Sequence, residues 1–256
     1  ALIIAGSYGK VGAAILSARA ALRAGCGLVT VQVPQCGYAI LQIAFPEAMV
    51  RVDSHQQIWT ATEDTAPFQA VGVGPGIGTN LLTARALSSL LEEAAAPLIL
   101  DADALNILGQ HPEWQEKLPP GSILTPHPKE FERLFGPTEN DFDRLQLLRE
   151  RAQALRCYIV LKGGYTAIAT PEGVVYFNTN GNPGMGTAGA GDVLTGILAG
   201  LLAQGYAPLV TCCLGVWLHG QAGDLAAREL EQESLLAEDI ISQLGPAFKT
   251  LKSSMT

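Results

Sequence analysis

The sequence predicts an α/β protein, a three-layer α/β/α sandwich with a mostly parallel central sheet and one antiparallel hairpin. Three observations carry that expectation. Short β-rich runs alternate with longer helical patterns along the whole chain. These runs lack strict polar–apolar alternation, as strands do when helices cover both faces of their sheet. Two late runs, Thr166–Thr170 and Val174–Phe177, are separated only by Pro171, Glu172 and Gly173, a turn signal, and so form the hairpin.

Taken in order, the apolar run Leu2–Ala5 is the first strand and Val11–Arg23 the first helix. Strands follow at Leu28–Val33 and Ala70–Val73, then a helix over Asn80–Ala95 and a strand at Leu98–Leu100. The short run Ser122–Leu124 leads into a helix that starts at Pro128, a residue suited to a first helical turn, and ends at Phe135. A helix over Asp141–Leu155, the strand Tyr158–Leu161 and the hairpin come next. Helices over Ala190–Ala203, Leu209–Arg228 and Ala237–Leu244 close the pattern, with Lys249–Thr256 expected as a frayed tail. No repeat or long linker divides residues 1–256, so one domain is expected.

Composition narrows the function. An apolar fraction of 48% with 16% charged residues describes a folded, core-forming chain. A net charge of −8 speaks against nucleic acid as the main partner, because phosphate backbones attract basic faces, yet it leaves room for a small anion in a local glycine nest. The five cysteines contain no CxxC pair and read as reduced thiols of a cytoplasmic protein. The apolar stretch Val193–Leu218 is broken by Thr195, Gln204, Pro208 and Thr211, which favours two packed core helices over a membrane span. The chain opens on Ala1 without an initiator Met or a basic flank, so it reads as a core strand whose leader is missing, with no signal peptide.

The segment Gly181–Asp192 is the strongest functional signal. Its glycines let backbone N–H groups converge on an anion, and the helix that follows adds its positive end. Asp192 then lies where an anion would bind, which suits a group that handles a proton or a metal. Gly72, Gly74, Gly76 and Gly78 alternate between a strand and a helix; they miss the dinucleotide spacing but would let a ligand lie against backbone. Gly6–Lys10 fails as a Walker A loop, since Ile4 and Val11 stand where Gly and Ser or Thr are needed, and Lys10 reads as solvated.

Other positions read two ways. Asp101 and Asp103 close a strand; they are either capping groups or groups that orient a substrate or hold Mg²⁺ through water, and they converge only if the chain turns at Ala102. His127, fixed between two prolines at a strand end, is a candidate site residue, whereas His55, His111 and His219 read as structural. Lys162, beside Gly163 and Gly164, either neutralises a phosphate or decorates a hairpin turn.

This ordered set of segments resembles the ribokinase-like superfamily, and within it the ADP- or ATP-dependent NAD(P)H-hydrate dehydratases, including the C-terminal half of bifunctional nicotinamide-nucleotide repair enzymes. The matching segments are Gly12–Ala14 with Ala20–Val31, Gly74–Gly76, Leu100–Asn106, Thr125–Arg133, Leu161–Thr166, Gly181–Gly196 and Leu218–Asp224. The resemblance implies a ribokinase-like fold and a lyase that restores NADH or NADPH from the S-epimers of their hydrates, releasing AMP or ADP and phosphate. Asp192 would be the catalytic acid/base and would contact the substrate. Ala13, Gly76 and the segment His127, Pro128, Lys129, Glu130, Phe131, Glu132 and Arg133 would line the hydrated dinucleotide. Lys162, Gly163, Gly164, Tyr165, Thr166, Gly189, Ala190 and Gly191 would hold the adenine nucleotide, ADP being favoured over ATP, with Mg²⁺. It further implies a cytoplasmic homo-oligomer, a tetramer. Two departures stand out: the family usually has Gly where this chain has Ala188, which would narrow the nest. It usually has Ser or Thr where this chain has Ala190, so a phosphate hydrogen bond would be lost. Gly-Ala-Gly-Asp at 189–192 is the form favoured by sugar kinases of the superfamily, so a small-molecule kinase is the alternative, and a non-catalytic nucleotide binder a third reading.

Overall fold

The computed structural model describes residues 1–61 and 63–253. Nine strands form one sheet: β1 (Leu2–Ile4), β2 (Thr30–Val33), β3 (Met49–Val52), β4 (Val71–Val73), β5 (Leu98–Leu100), β6 (Ile123–Leu124), β7 (Tyr158–Leu161), β8 (Ala167–Ala169) and β9 (Val175–Phe177), in the order 3-2-1-4-5-6-7-8-9. The first seven run parallel; β8 and β9 are antiparallel to their neighbours, with Gly173 at φ +79° in the connecting turn.

The pleat sorts the strand residues into two cores. Ile3, Ile99, Ile123, Val160 and Ile168 face α1 (Val11–Arg23), α2 (Gln35–Ala44), α7 (Ala190–Ala203) and α8 (Pro208–Leu230). Their sequence neighbours Leu2, Ile4, Leu98, Leu100, Leu124, Ile159 and Leu161 face α3 (Leu81–Glu93), α4 (Ala102–Gln110), α5 (Pro128–Phe135) and α6 (Asp141–Leu155). The expected three layers follow from strands that are apolar on both faces. Two short helices, α9 (Ala237–Ser242) and α10 (Leu244–Ser253), extend the α8 layer.

All eight expected strands are present, two with the same bounds and six with an end moved by one or two residues, and the expected helices recur, four of them with the same bounds. The differences have local causes. Strand β3 was not expected: it is a four-residue edge strand whose side chains are mostly exposed, so its run carries little burial signal. Helix α2 was also missed; it has no charged residue to mark a polar face, and Gly37 in its first turn lies where a Cβ would press on Val33. Helix α4 starts immediately after β5, where the sequence reads as a strand end. The tail reading is corrected over 249–253, which belong to α10; residues 254–256 lie outside the described ones.

Helix α7 is the centre of its layer, apolar on every side. It meets α1 along small residues. A Cβ on Gly196 would run into the Ser17 carbonyl, and one on Gly200 would stand 2.5 Å from the Ala21 carbonyl oxygen. This close crossing holds the α7 N-terminus at the C-terminal edge of the sheet. Gly200→Val is expected to force the two helices apart and cost about 2 kcal/mol or more. Urea unfolding would read this as a lower midpoint at an unchanged slope.

Candidate active site

Parallel strands of matched register end together, and here the residues just past each end stay hydrogen-bonded to the neighbouring strand. Gly74 N–H donates to the Ile4 carbonyl (3.2 Å), Asp101 N–H to Val73 (3.1 Å), Thr125 N–H to Leu100 (3.1 Å) and Lys162 N–H to Pro126 (2.9 Å). Four chemistry-bearing segments are thereby lined up along one edge, where open α/β sheets bind ligands.

The glycine-rich loop enters from the other side. Its start is tied to α8: Asp224 accepts from Gly181 N–H (2.9 Å) and Asn182 Nδ2 (3.0 Å), while Asn180 Nδ2 donates to the Trp217 carbonyl (2.9 Å). Its end, Gly189, has φ +89°, a conformation that favours glycine, and a Cβ there would lie 2.5 Å from Leu16 Cδ1, so that side chain would have to shift. Helical bonding in α7 begins with Val193 N–H to Gly189 O (3.0 Å), which leaves the N–H groups of Gly191 and Asp192 without an acceptor among the described residues. A Cβ on Gly191 would be 3.3 Å from Lys162 Nζ. Two free N–H donors, the positive end of a helix and an ammonium thus converge on one place, an arrangement suited to an anion.

Lys162 is held there by Asp101. Lys162 Nζ donates to Asp101 Oδ1 at 2.8 Å, and Thr195 Oγ1 donates to Asp101 Oδ2 at 2.8 Å, with Asp101 only 1% exposed. Both carboxylate oxygens are engaged, and the side chain does not cap α4. The chain does turn at Ala102, which adopts φ +50°, and Asp103 is carried round to accept from Gly78 N–H (2.8 Å) and to face Lys10 Nζ (3.5 Å). Lys10, expected to be solvated, is half-exposed and loosely paired. Gly74 is needed because a Cβ there would collide with the Asp101 carbonyl.

Asp192 lies in the first turn of α7, partly buried, with no hydrogen-bond donor to its carboxylate among the described residues. Burial raises its pKa most, the Asp101 charge adds to that, Lys162 opposes it and Asp103 adds a little, leaving it at about 7. A carboxylate poised near neutrality is suited to accepting a proton from a hydroxyl. His219 of α8 is half-buried, and its Nε2 must carry hydrogen to donate to the Ala190 carbonyl (2.9 Å); desolvation holds its pKa down to about 4, so it is neutral.

The remaining expected residues separate. Ala13 and Gly76 meet: Gly76 has φ +67°, and a Cβ there would be 3.2 Å from Ala13 Cβ. His127 caps α5, its Nδ1 accepting from Lys129 N–H (3.1 Å) and Glu130 N–H (3.3 Å), while Glu130 Oε2 accepts from His127 N–H (2.9 Å). Desolvation keeps its pKa below the usual histidine value, which preserves the acceptor nitrogen of the cap. Glu130 is buried, 3.9 Å from Lys162. Phe131 lies in the core edge-on to Phe135, and Pro128, Lys129 and Glu132 are exposed. Arg133 donates to Asn106 Oδ1 (2.9 Å) on the wall of a cleft of about 440 Å³ that Thr79, Asp103, Gly109 and Gln110 also line. Gly163, Gly164 and Tyr165 form an exposed turn closed by Thr166 Oγ1 to the Gly163 carbonyl (3.3 Å). Ala188 is exposed, and the Ala190 methyl packs into the core between α1, α8 and α9, so its backbone alone faces the site.

Thr195 was missed as a site residue. Its signal was a lone hydroxyl one turn beyond Asp192 in an otherwise apolar helix. Asn106 is the other omission, and its amide simply follows Asp103 on the same helical face.

Sheet order and helix layers together define a ribokinase-like α/β protein. The profile of the NAD(P)H-hydrate dehydratase family matches residues 1–245, and the chain belongs to that family. It is 39% identical to the bifunctional NAD(P)H-hydrate repair enzyme Nnr of Moorella thermoacetica, over 99% of this chain and 50% of that one. It is 37% identical to the ADP-dependent (S)-NAD(P)H-hydrate dehydratase of Neisseria meningitidis, over 99% of this chain and 85% of that one. The chain spans about half the length of the bifunctional relatives it matches. Among solved structures, the ADP/ATP-dependent NAD(P)H-hydrate dehydratase from Bacillus subtilis, co-crystallised with ATP/Mg²⁺ and soaked with CoA, superposes with a TM-score of 0.84. It is 32% identical, with 97% of this chain and 90% of that chain covered.

An ionised Asp192 with a raised pKa weighs on the ligand-free fold. The folded state binds this proton more tightly than the unfolded chain, so stability falls as pH rises from about 4 to about 7 and stays lowered above that. Asp192→Asn removes the burden. The variant is expected to unfold at higher urea than the parent at pH 8, with the difference shrinking towards pH 4.

Proposed function

We propose that this protein uses an adenine nucleotide to dehydrate the S-epimers of hydrated NADH and NADPH, returning NAD(P)H and releasing phosphate. The observation that carries the reading is Asp192: a carboxylate with a pKa near 7, at a helix N-terminus that also presents two free N–H groups and Lys162. Family membership supplies the substrate class.

Asp192 would take the proton from the hydroxyl on the hydrated ring as that oxygen attacks the terminal phosphorus of ADP or ATP. The bond from phosphorus to the leaving nucleotide breaks, giving AMP or ADP. Lys162 and the N–H groups of Gly191 and Asp192 would stabilise the charge on the transferring group. The phosphorylated oxygen is a far better leaving group than hydroxide. The ring nitrogen's lone pair assists its departure, and loss of a ring proton restores the reduced nicotinamide. Lys162–Thr166 and Gly189–Gly191 would hold the nucleotide. Ala13 and Gly76 would line the reacting end of the dinucleotide. The cleft walled by Arg133 and Asn106 offers space beside Asp103 for the rest of it.

No group of three His, Cys, Asp or Glu side chains among the described residues could hold a metal by itself. Mg²⁺, which usually binds through substrate phosphates and one or two carboxylates, would arrive as part of the nucleotide co-substrate. The proposed homo-oligomer is supported by the exposed apolar residues Tyr38, Ile40 and Ile43 of α2 and is measurable by light scattering. A cytoplasmic setting is consistent with five free cysteines, and no described helix is long and apolar enough to cross a membrane.

Incubation with hydrated NADH and Mg²⁺, with ADP and ATP in separate reactions, tests the reading. Recovery of reduced-nicotinamide absorbance with matching release of phosphate is expected, and phosphate retained on an organic product would instead mark a kinase. Asp192→Asn is expected to lower the rate by about 100- to 10 000-fold while nucleotide binding persists. Near-parental turnover in that variant would remove Asp192 from the mechanism.

A further inference from the structure

One buried group of the site has no role in the steps above. Asp101 is 1% exposed, yet it takes no part in the core and none in capping the helix it precedes. An aspartate between a strand and a helix is ordinarily consumed by the helix N-terminus. Here the chain takes a left-handed turn at Ala102, and the carboxylate is met instead by Lys162, which reaches back across β6 from the end of β7, and by Thr195 of α7. Three elements from different parts of the chain meet on its two oxygens: β5 supplies the carboxylate, β7 the Lys162 ammonium and α7 the Thr195 hydroxyl.

We propose that Asp101 is a positioning residue for the phosphoryl-transfer site: it holds the Lys162 ammonium at the N-terminus of α7 and supplies the negative charge against which Asp192 exchanges its proton. This rests on the reading of Asp192 as the base. Without the ion pair, Lys162, which leads into an exposed turn at Gly163 and Gly164, would have the freedom of any surface lysine. With it, the ammonium stands over Gly191, where a phosphate bound to the α7 N–H groups would meet it.

The charged groups around Asp192 come from several elements, and α1 and α9, which also pack against α7, add none to its shift. Asp101 follows β5, Asp103 is on α4 with Lys10 beside it, and Lys162 follows β7. Behind Lys162 stand Glu130, His127 and Arg133 of the α5 segment, and α8 contributes only the neutral His219. Asp101→Asn removes one negative charge facing Asp192 and releases Lys162. The Asp101 charge raises the Asp192 pKa more than Lys162 lowers it, so the net change makes Asp192 the stronger acid. Asparagine keeps the size of the side chain and an acceptor for Thr195.

The pH step in stability that Asp192 produces, read as the difference in unfolding free energy between proteins with and without Asp192→Asn, needs no turnover to be measured. In the Asp101→Asn background the step is expected to move down by about one pH unit, and the acid limb of kcat with it. The fall in kcat is expected to be about tenfold to a hundredfold, with the nucleotide KM changed by less than about threefold. Lys162→Gln should move the step the other way, to higher pH. A purely structural Asp101 would lower stability evenly across pH and leave the step in place, and that result overturns the proposal. If Asp101→Asn does not fold, Lys162→Gln decides: an upward step upholds the charge balance and a static one refutes it. A moved step in a protein that never converts hydrated NADH keeps Asp101 and discards the substrate, so the two failures are distinct.

Discussion

The ion pair between Lys162 and Asp101 is the contact on which the site depends. Its partners follow strands two positions apart in the sheet, with β6 between them, about 10 Å at the usual strand spacing. Only a long side chain can span that distance, and only if both strands end at the same level. The ladder from Gly74 through Lys162 guarantees that level. An isolated carboxylate buried as deeply as Asp101 would be strongly unfavourable; a lysine at 2.8 Å and a hydroxyl at 2.8 Å make it tolerable. The burial that makes the pair costly also keeps its geometry in place.

Around this pair, glycine serves close approach more than flexibility. Gly74 lets β4 pass against the Asp101 carbonyl, Gly189 lets the loop enter beneath Leu16, and Gly191 leaves room for the ammonium. Each is a place where backbone has to lie within contact distance of another group. The loop that joins them is anchored at its far end by Asp224, so Gly181–Asp192 is a tethered arch with its free donors at one end.

Much of this was legible in the residues. Buried strands announced themselves as apolar runs, and the glycine density before Asp192 marked the loop whose end leaves two N–H groups free. What escaped depends on conformations that composition does not encode. Whether Asp101 caps a helix or crosses the sheet is decided by the left-handed turn at Ala102, a residue with no preference for it. Thr195 looks like an interruption in an apolar helix until α7 is placed against β5. His127 shows the opposite case: its rigid Pro-His-Pro setting reads as a site, but its Nδ1 is occupied in capping α5, a role histidine seldom signals. Edge elements such as α2 and β3 were faint because half of each faces solvent, where burial leaves no pattern.

The site concentrates Asp101, Asp103, Glu130 and Asp192 around Lys162 and a helix end, an arrangement that works against the ligand-free fold. A helix free to slide would relieve it by withdrawing its first turn into solvent. Helix α7 has no such freedom. It is apolar on every side, pressed against α1 through Gly196 and Gly200 and against α8 through Gly215, where an added Cβ would stand 2.7 Å from Leu198 Cδ2. The packing of the helix body therefore holds the electrostatic strain at its tip. That division explains why the most apolar helix of the chain carries its most polar residue: the core supplies the rigidity, and Asp192 keeps a proton affinity that water would otherwise erase.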